Sequence, residues 1–108
     1  MATLNFSRAY NADFQYFEDM TFNPVLDFAR SDSGSVVFTG DTIYFKIYDR
    51  PGGTLKETLT SGTEITITDA NTLTFDKTFT DLQKRAYYYE LYNDTEKVCL
   101  MYGNFIVL

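Results

Sequence analysis

The sequence predicts an all-β fold, an antiparallel β-sandwich of about seven to nine short strands. Three observations support this prediction. Apolar side chains alternate with polar or tyrosine side chains in several segments, which is the period of a strand with one face on a core. Aromatic residues form 18% of the chain, as 10 Phe and 9 Tyr, and flat rings pack well on a pleated sheet. No stretch of roughly ten residues shows the helical period.

The N-terminal third predicts short and irregular elements. Residues 1–10 are expected to form an arm or an edge strand, and the sandwich domain is expected over residues 11–108. Phe14 and Tyr16 predict a first strand, and Pro24 marks a turn because proline cannot lie inside a central strand. The segment 25–28 is apolar on both faces, so it is either a second strand or a buried crossing segment.

The clearest strand is predicted at 42–49, where Ile43, Phe45 and Ile47 share one face. Proline and glycine at 51–53 then predict a tight turn. Three weaker strands follow, at 55–59 near a sheet edge, at 64–68 and at 72–79.

The C-terminal segment predicts a hairpin at the centre of the sheet, with strands at 86–92 and 98–102. Tyr87, Tyr89 and Leu91 share one parity in the first of these strands. In the second, the apolar parity changes after Tyr102, which predicts a β-bulge or kink at Gly103. The last four residues are apolar on both faces and are expected to be buried and paired.

Composition excludes several classes of partner. The formal net charge is −6, whereas a nucleic-acid-binding surface or an anionic membrane requires an excess of Lys and Arg. No apolar run has the length of a membrane span, and the N-terminus lacks the basic start and apolar run of a signal peptide. We therefore expect no nucleic acid, no membrane, and a soluble protein made in a cytoplasm.

No catalytic, cofactor-binding or metal-ligating residues are predicted. The chain has no His, so it has neither a Ser-His-Asp arrangement nor a base that activates the single thiol, Cys99. Cys99 is interpreted as a small apolar packing residue. Two carboxylate pairs fit a calcium site or an acid/base pair, but capping of turns is favoured. These pairs are Asp27 with Asp32, and Asp94 with Glu96.

The tyrosines are the unusual feature. Tyr44, Tyr48, Tyr88 and Tyr92 lie on the parity opposite the clearest apolar residues. They form either an open, adhesive sheet face suited to protein interfaces or sugar stacking, or a face covered by 25–28 or by the N-terminal arm. The candidate partner interface comprises Tyr44, Tyr48, Tyr88, Tyr92, Phe6 and Tyr10.

A family resemblance adds to this interpretation. Leu82, five residues before Tyr87, resembles the corner that precedes a late strand in immunoglobulin-like domains, where a tyrosine hydroxyl returns to the backbone. From residue 40 onward the chain contains the pattern Gly40-Asp41, Ile43-x-Phe45-x-Ile47-x-Asp49, Leu82, Tyr87-x-Tyr89-Glu90-Leu91 and Tyr102-Gly103-x-Phe105-x-Val107. This pattern resembles a small immunoglobulin-like module of tailed bacteriophage virions, and is similar to the N-terminal domain of upper baseplate proteins. One departure is Arg85-Ala86, where that pattern often has Gly before the first Tyr.

This resemblance implies a non-enzymatic virion protein of the head, neck, tail or baseplate, without a cofactor. It would dock onto other virion proteins or onto a second copy of itself. A carbohydrate-binding module that uses exposed tyrosines is the alternative. A small hydrolase that uses carboxylates is a third hypothesis.

Overall fold

The computed structural model describes the backbone of residues 2–6, 9–30 and 36–108, and the side chains of 9–29 and 36–108. These ranges contain strands and turns but no helix. The strands are β1 (Ala2–Phe6), β2 (Tyr10–Asn11), β3 (Phe14–Tyr16), β4 (Val25–Arg30), β5 (Ile43–Tyr48), β6 (Leu55–Thr60), β7 (Ile65–Asp69), β8 (Thr72–Phe75), β9 (Ala86–Asn93) and β10 (Val98–Val107).

Two sheets pack around one core, so the predicted β-sandwich is confirmed. One sheet has four strands in the order β1-β4-β8-β7. The other has six strands in the order β2-β10-β9-β5-β6, with β3 also paired to β10. Most pairs are antiparallel, but β1 runs parallel to β4, and β2 and β3 run parallel to β10. The N-terminal segment therefore contributes to both sheets, and its first strand lies at a sheet edge.

The core lies on the inner faces of β5 and β9. Alternate residues of both strands are buried, as predicted, and the ring of Phe45 stacks on Tyr89 with centroids 4.9 Å apart. Four phenylalanine rings surround this pair. We call the six residues the inner aromatic cluster: Phe14, Phe22, Phe45, Phe75, Tyr89 and Phe105. Burial of each such ring stabilises the fold by about 1.5–3 kcal/mol.

The corner before β9 has the expected geometry. The hydroxyl of Tyr87 accepts a hydrogen bond from the backbone N–H of Gln83 at 2.9 Å, and Leu82 is buried. The guanidinium of Arg85 lies 4.8 Å from the centre of the Tyr87 ring. The tyrosine thus holds the connection from the four-stranded sheet at the point where β9 begins.

The irregularity in β10 differs from the prediction. The pairing with β9 shifts between Cys99 and Met101, so the bulge lies at Leu100 and not at Gly103. Leu100 and Met101 are both buried, and Tyr102 consequently points to the outer face. The glycine has another role, because a Cβ atom at Gly103 would overlap the backbone oxygen of Ala12.

The other strand boundaries agree with the sequence except in one strand. The segment 25–28 belongs to a strand, β4, and β6 forms an edge of the six-stranded sheet, as predicted. The strand predicted at 72–79 ends at Phe75, because Lys77 instead pairs with Phe22 in an isolated bridge. The predicted loop at 31–35 lies outside the described residues.

Candidate interaction surface

The outer face of the six-stranded sheet collects most of the predicted site residues. Tyr44 pairs directly with Tyr92 across β5 and β9, and Tyr48 pairs with Tyr88. Because side chains of directly opposed residues point to the same side of a sheet, these four tyrosines lie together. We call this surface the tyrosine face and define it by Tyr44, Lys46, Tyr48, Tyr88, Glu90, Tyr92 and Tyr102.

The tyrosine face is open on its outer side in the described part of the chain. The two segments named as alternative covers, 25–28 and the N-terminal arm, contribute β4 and β1 to the opposite sheet. Leu26 and Phe28 of β4 are buried in the core between the sheets. The ring side chains of the face are half-buried, since they cover one another and the sheet beneath them.

Contacts within the face link its rings to its two charges. The ammonium nitrogen of Lys46 lies 5.3 Å from the centre of the Tyr44 ring, a distance at which a cation is attracted to the ring. The Tyr88 hydroxyl donates a hydrogen bond to Oε2 of Glu90 at 3.1 Å. The rings of Tyr48 and Tyr88 approach to 6.3 Å with a tilt of 40°. The face is therefore partly ordered before any partner arrives.

Two hydroxyl groups of the face, those of Tyr48 and Tyr88, hold their protons more tightly than an ordinary tyrosine does. Partial burial, and then the negative charge of Glu90, raise the pKa of Tyr88 to about 12. The same two causes, in the same order, raise the pKa of Tyr48. Both side chains thus present neutral phenols, which donate and accept hydrogen bonds at a partner surface.

Cys99 lies on the outer side of β10, opposite Tyr92. Its thiol donates a hydrogen bond to the backbone oxygen of Met101, with sulfur and oxygen 3.3 Å apart. Burial, and then the charge of Glu90, raise the pKa of the thiol. A raised pKa disfavours the nucleophilic thiolate, which agrees with the interpretation of Cys99 as a packing residue.

Two predicted interface residues lie apart from the face. Tyr10 lies on β2, on the far side of β10 from β9, and is 40% exposed. Phe6 lies on β1 in the opposite sheet, and its side chain is outside the described part of the structure. The structure therefore does not join them to the four tyrosines of β5 and β9.

Sequence reasoning omitted three residues that complete the face. Lys46 and Glu90 alternate with the predicted tyrosines and oppose each other across β5 and β9. Tyr102 opposes Glu90 from β10. Its position was obscured by the bulge, but the parity of Phe105 and Val107, counted backward along the strand, places Tyr102 on the outer face.

Two members of the predicted carboxylate pairs contact other side chains of the described structure. Asp27 accepts a hydrogen bond from the hydroxyl of Thr72, and Asp32 lies outside the described residues. In the β9–β10 turn, Asp94 forms an ion pair with Lys97 at 3.0 Å. Among residues that the structure describes, no three acidic or thiol side chains are grouped so as to hold a metal ion.

A smaller apolar feature lies at the turn after β3. Phe17 and Met20 are 58% and 61% exposed and border a shallow groove of about 330 Å³. The turn is held by Tyr16, whose hydroxyl donates to the backbone oxygen of Met20 at 2.6 Å. This pair of side chains is much less extensive than the tyrosine face.

No protein-family model and no curated protein matches this chain. The resemblance to virion modules consequently stays a prediction from the sequence pattern. The ranges described by the structure contain no helix of the length and apolarity that a membrane span requires.

Proposed function

We propose that this chain is a non-enzymatic structural or accessory protein of a bacteriophage virion, made in the host cytoplasm, which docks onto other virion proteins through the tyrosine face. The observation that carries the proposal is the face itself. Five tyrosines lie on three adjacent strands, half-exposed, with no layer over them among the described residues. Tyrosine provides a large contact area at low conformational cost and is enriched where protein interfaces bind most strongly.

The assignment to a virion rests on the sequence resemblance. The β-sandwich and the Tyr87 corner are consistent with the immunoglobulin-like module that the resemblance implies. Other folds and functions share such sandwiches, so the fold supports the proposal without specifying a position in the head, neck, tail or baseplate.

The test is incorporation into particles. We expect mass spectrometry of purified virions to detect the chain, and the neighbouring genes to encode head or tail subunits. A Tyr48→Ser/Tyr92→Ser variant should fold but be depleted from particles. Tyr10→Ser is the matched control, because it removes an exposed tyrosine outside the face. Particles without the chain, or equal incorporation of the double variant and the control, would contradict the proposal.

A carbohydrate-binding module is the second candidate. Its support is the Glu90 carboxylate beside the rings of Tyr48 and Tyr88, since sugars are recognised by aromatic rings combined with polar groups. Glycan-array binding that is lost in Tyr44→Ala and Tyr88→Ala would favour this function. The 40° tilt between the two rings favours protein docking, because the pair does not form one coplanar platform for a sugar.

A further inference from the structure

The pairing of β5 with β9 gives the tyrosine face a self-complementary pattern. Three directly opposed pairs follow one another along these strands: Tyr44 with Tyr92, Lys46 with Glu90, and Tyr48 with Tyr88. The single positive and the single negative charge of the defined face thus occupy the same level, one on each strand. A pair of tyrosines flanks the two charges on each side along the strands.

A second copy of the chain can be placed on this face by a two-fold axis that runs parallel to the strands, midway between β5 and β9 and outside the face. This arrangement converts the pattern into matched contacts between the two copies. Such an axis places β5 of one copy opposite β9 of the other while it preserves the level along the strand. Lys46 then faces Glu90 of the second copy, and each tyrosine faces a tyrosine. An axis perpendicular to the strands at the same level would instead bring two Lys46 side chains together.

We propose, on the basis of the function proposed above, that the first partner of the tyrosine face is a second copy of this chain, bound about the axis that runs along β5 and β9. The two charges are positioned for this contact, because each is held in place on the face by one tyrosine of its own chain. Lys46 lies over Tyr44, and Glu90 accepts the hydroxyl of Tyr88. Opposite charges brought together on desolvation fix the register of an interface.

The area of the tyrosine face limits the expected affinity of the dimer. Three strands, each contributing about six residues, cover roughly 300 Å² in projection. An interface of this size lies at the small end of specific protein contacts. Each chain also carries a net charge of −6, which opposes association. The dimer is therefore expected to be weak, with a dissociation constant of about 10–100 μM.

The test exchanges the two charges. In a homodimer, Lys46→Glu places a second carboxylate against Glu90, and Glu90→Lys places a second ammonium group against Lys46. Each single variant should weaken dimerisation about tenfold or more in sedimentation velocity. An equimolar mixture of the two variants should associate again, because both contacts of the heterodimer are then attractive. Native mass spectrometry distinguishes heterodimers from homodimers when one variant is labelled with nitrogen-15, since Lys and Glu themselves have nearly equal masses.

The matched controls are Lys84→Glu and Glu18→Lys, which make the same charge changes at an ion pair outside the face. These variants and their mixture should dimerise as the unmodified chain does, apart from the effect of net charge. Circular dichroism verifies that every variant folds. Rescue in the mixture cannot arise from repair within a chain, because each chain retains its own pair of like charges.

Three results would overturn the inference: an unmodified chain that stays monomeric at millimolar concentration, single exchanges without effect, or a mixture no more associated than its components. The proposed function is judged separately by incorporation into particles. A monomeric chain that still enters virions through the tyrosine face would refute self-association alone.

Discussion

The inner and outer faces of β5 and β9 are built from alternate residues of the same strands, yet they use aromatic rings differently. The inner aromatic cluster consists mainly of phenylalanine, and its Tyr89 is fully buried, with its hydroxyl donated to the backbone oxygen of Ala12. The tyrosine face is half-exposed, and its contacts are among its own side chains. Inner rings therefore hold the sandwich together, whereas outer rings contribute little to folding and are available to a partner.

The largest expected effect is at the centre of the inner cluster. Phe45→Ala removes the ring that stacks on Tyr89 and should lower the free energy of unfolding by about 3–5 kcal/mol. Tyr44→Ala, the adjacent residue on the outer face, should cost about 1 kcal/mol or less. Urea denaturation measures both. Equal losses would mean that the two faces do not differ in their contribution to folding.

A second substitution tests how closely the N-terminal segment approaches β10. Gly103→Ala introduces a methyl group that would overlap the backbone oxygen of Ala12, so the strand must move. We expect a loss of about 1–3 kcal/mol in the free energy of unfolding. The exposed neighbour Asn104 provides the control, since Asn104→Ala should change stability by less than about 0.5 kcal/mol. A neutral Gly103→Ala would disprove the close approach.

Hydroxyl groups give a smaller contrast between the faces. Tyr89→Phe leaves the ring in place but removes the donor to Ala12, which should cost about 1 kcal/mol. Tyr92→Phe on the outer face should cost less than about 0.5 kcal/mol. The difference is measurable by thermal unfolding of the two variants under identical conditions. If Tyr92→Phe proved the more destabilising, the hydroxyls of the outer face would be structural.

A further contrast appears only at alkaline pH, in the dependence of stability on pH. The pKa of Tyr88 is about 12 in the folded chain against an ordinary value of 10.0, so the folded state holds this proton more tightly. The corresponding stabilisation is complete below pH 10 and is lost as the pH rises toward 12. Tyr88→Phe should therefore lose stability less steeply over this range, as followed by urea denaturation.

Glu90→Gln provides the companion measurement. Because the carboxylate both repels the tyrosinate and accepts the Tyr88 hydroxyl, its removal should bring the ionisation of Tyr88 to lower pH. The ultraviolet absorbance of tyrosinate reports this change. An alkaline titration identical to that of the unmodified chain would show that Glu90 does not act on Tyr88.

Local patterns in the sequence predicted the central strands well. Strict alternation over 43–48 and 86–92 places one face of each strand in the core, and a single sheet register satisfies both. The parallel pairing of β1 with β4, and of β2 with β10, is not encoded by alternation, because it depends on how the chain crosses between the sheets. The bulge at Leu100 was misplaced for a related reason, since Gly103 is a plausible bulge residue whose actual constraint comes from Ala12.

The candidate surface was predicted in part. Parity alone identified Tyr44, Tyr48, Tyr88 and Tyr92, but it did not establish that they adjoin, which requires the register between β5 and β9. The charges at the centre of the face were overlooked because an exposed lysine and glutamate are ordinary in a strand. Their significance arises only when they are directly opposed. Tyr10 and Phe6 were included because the N-terminal arm was expected to reach a neighbour, and the fold separates them from the face.

Hydroxyl-radical footprinting of the tyrosines, in the free chain and in purified virions, tests the central claim most directly. Tyr44, Tyr92 and Tyr102 should react in the free chain, kept at a concentration well below the dissociation constant of the proposed dimer, and become protected in particles. Buried Tyr89 should be protected in both, and the exposed Phe17 and Met20 should stay reactive in both. Tyrosines of the outer face that react equally in the free chain and in particles would contradict the account.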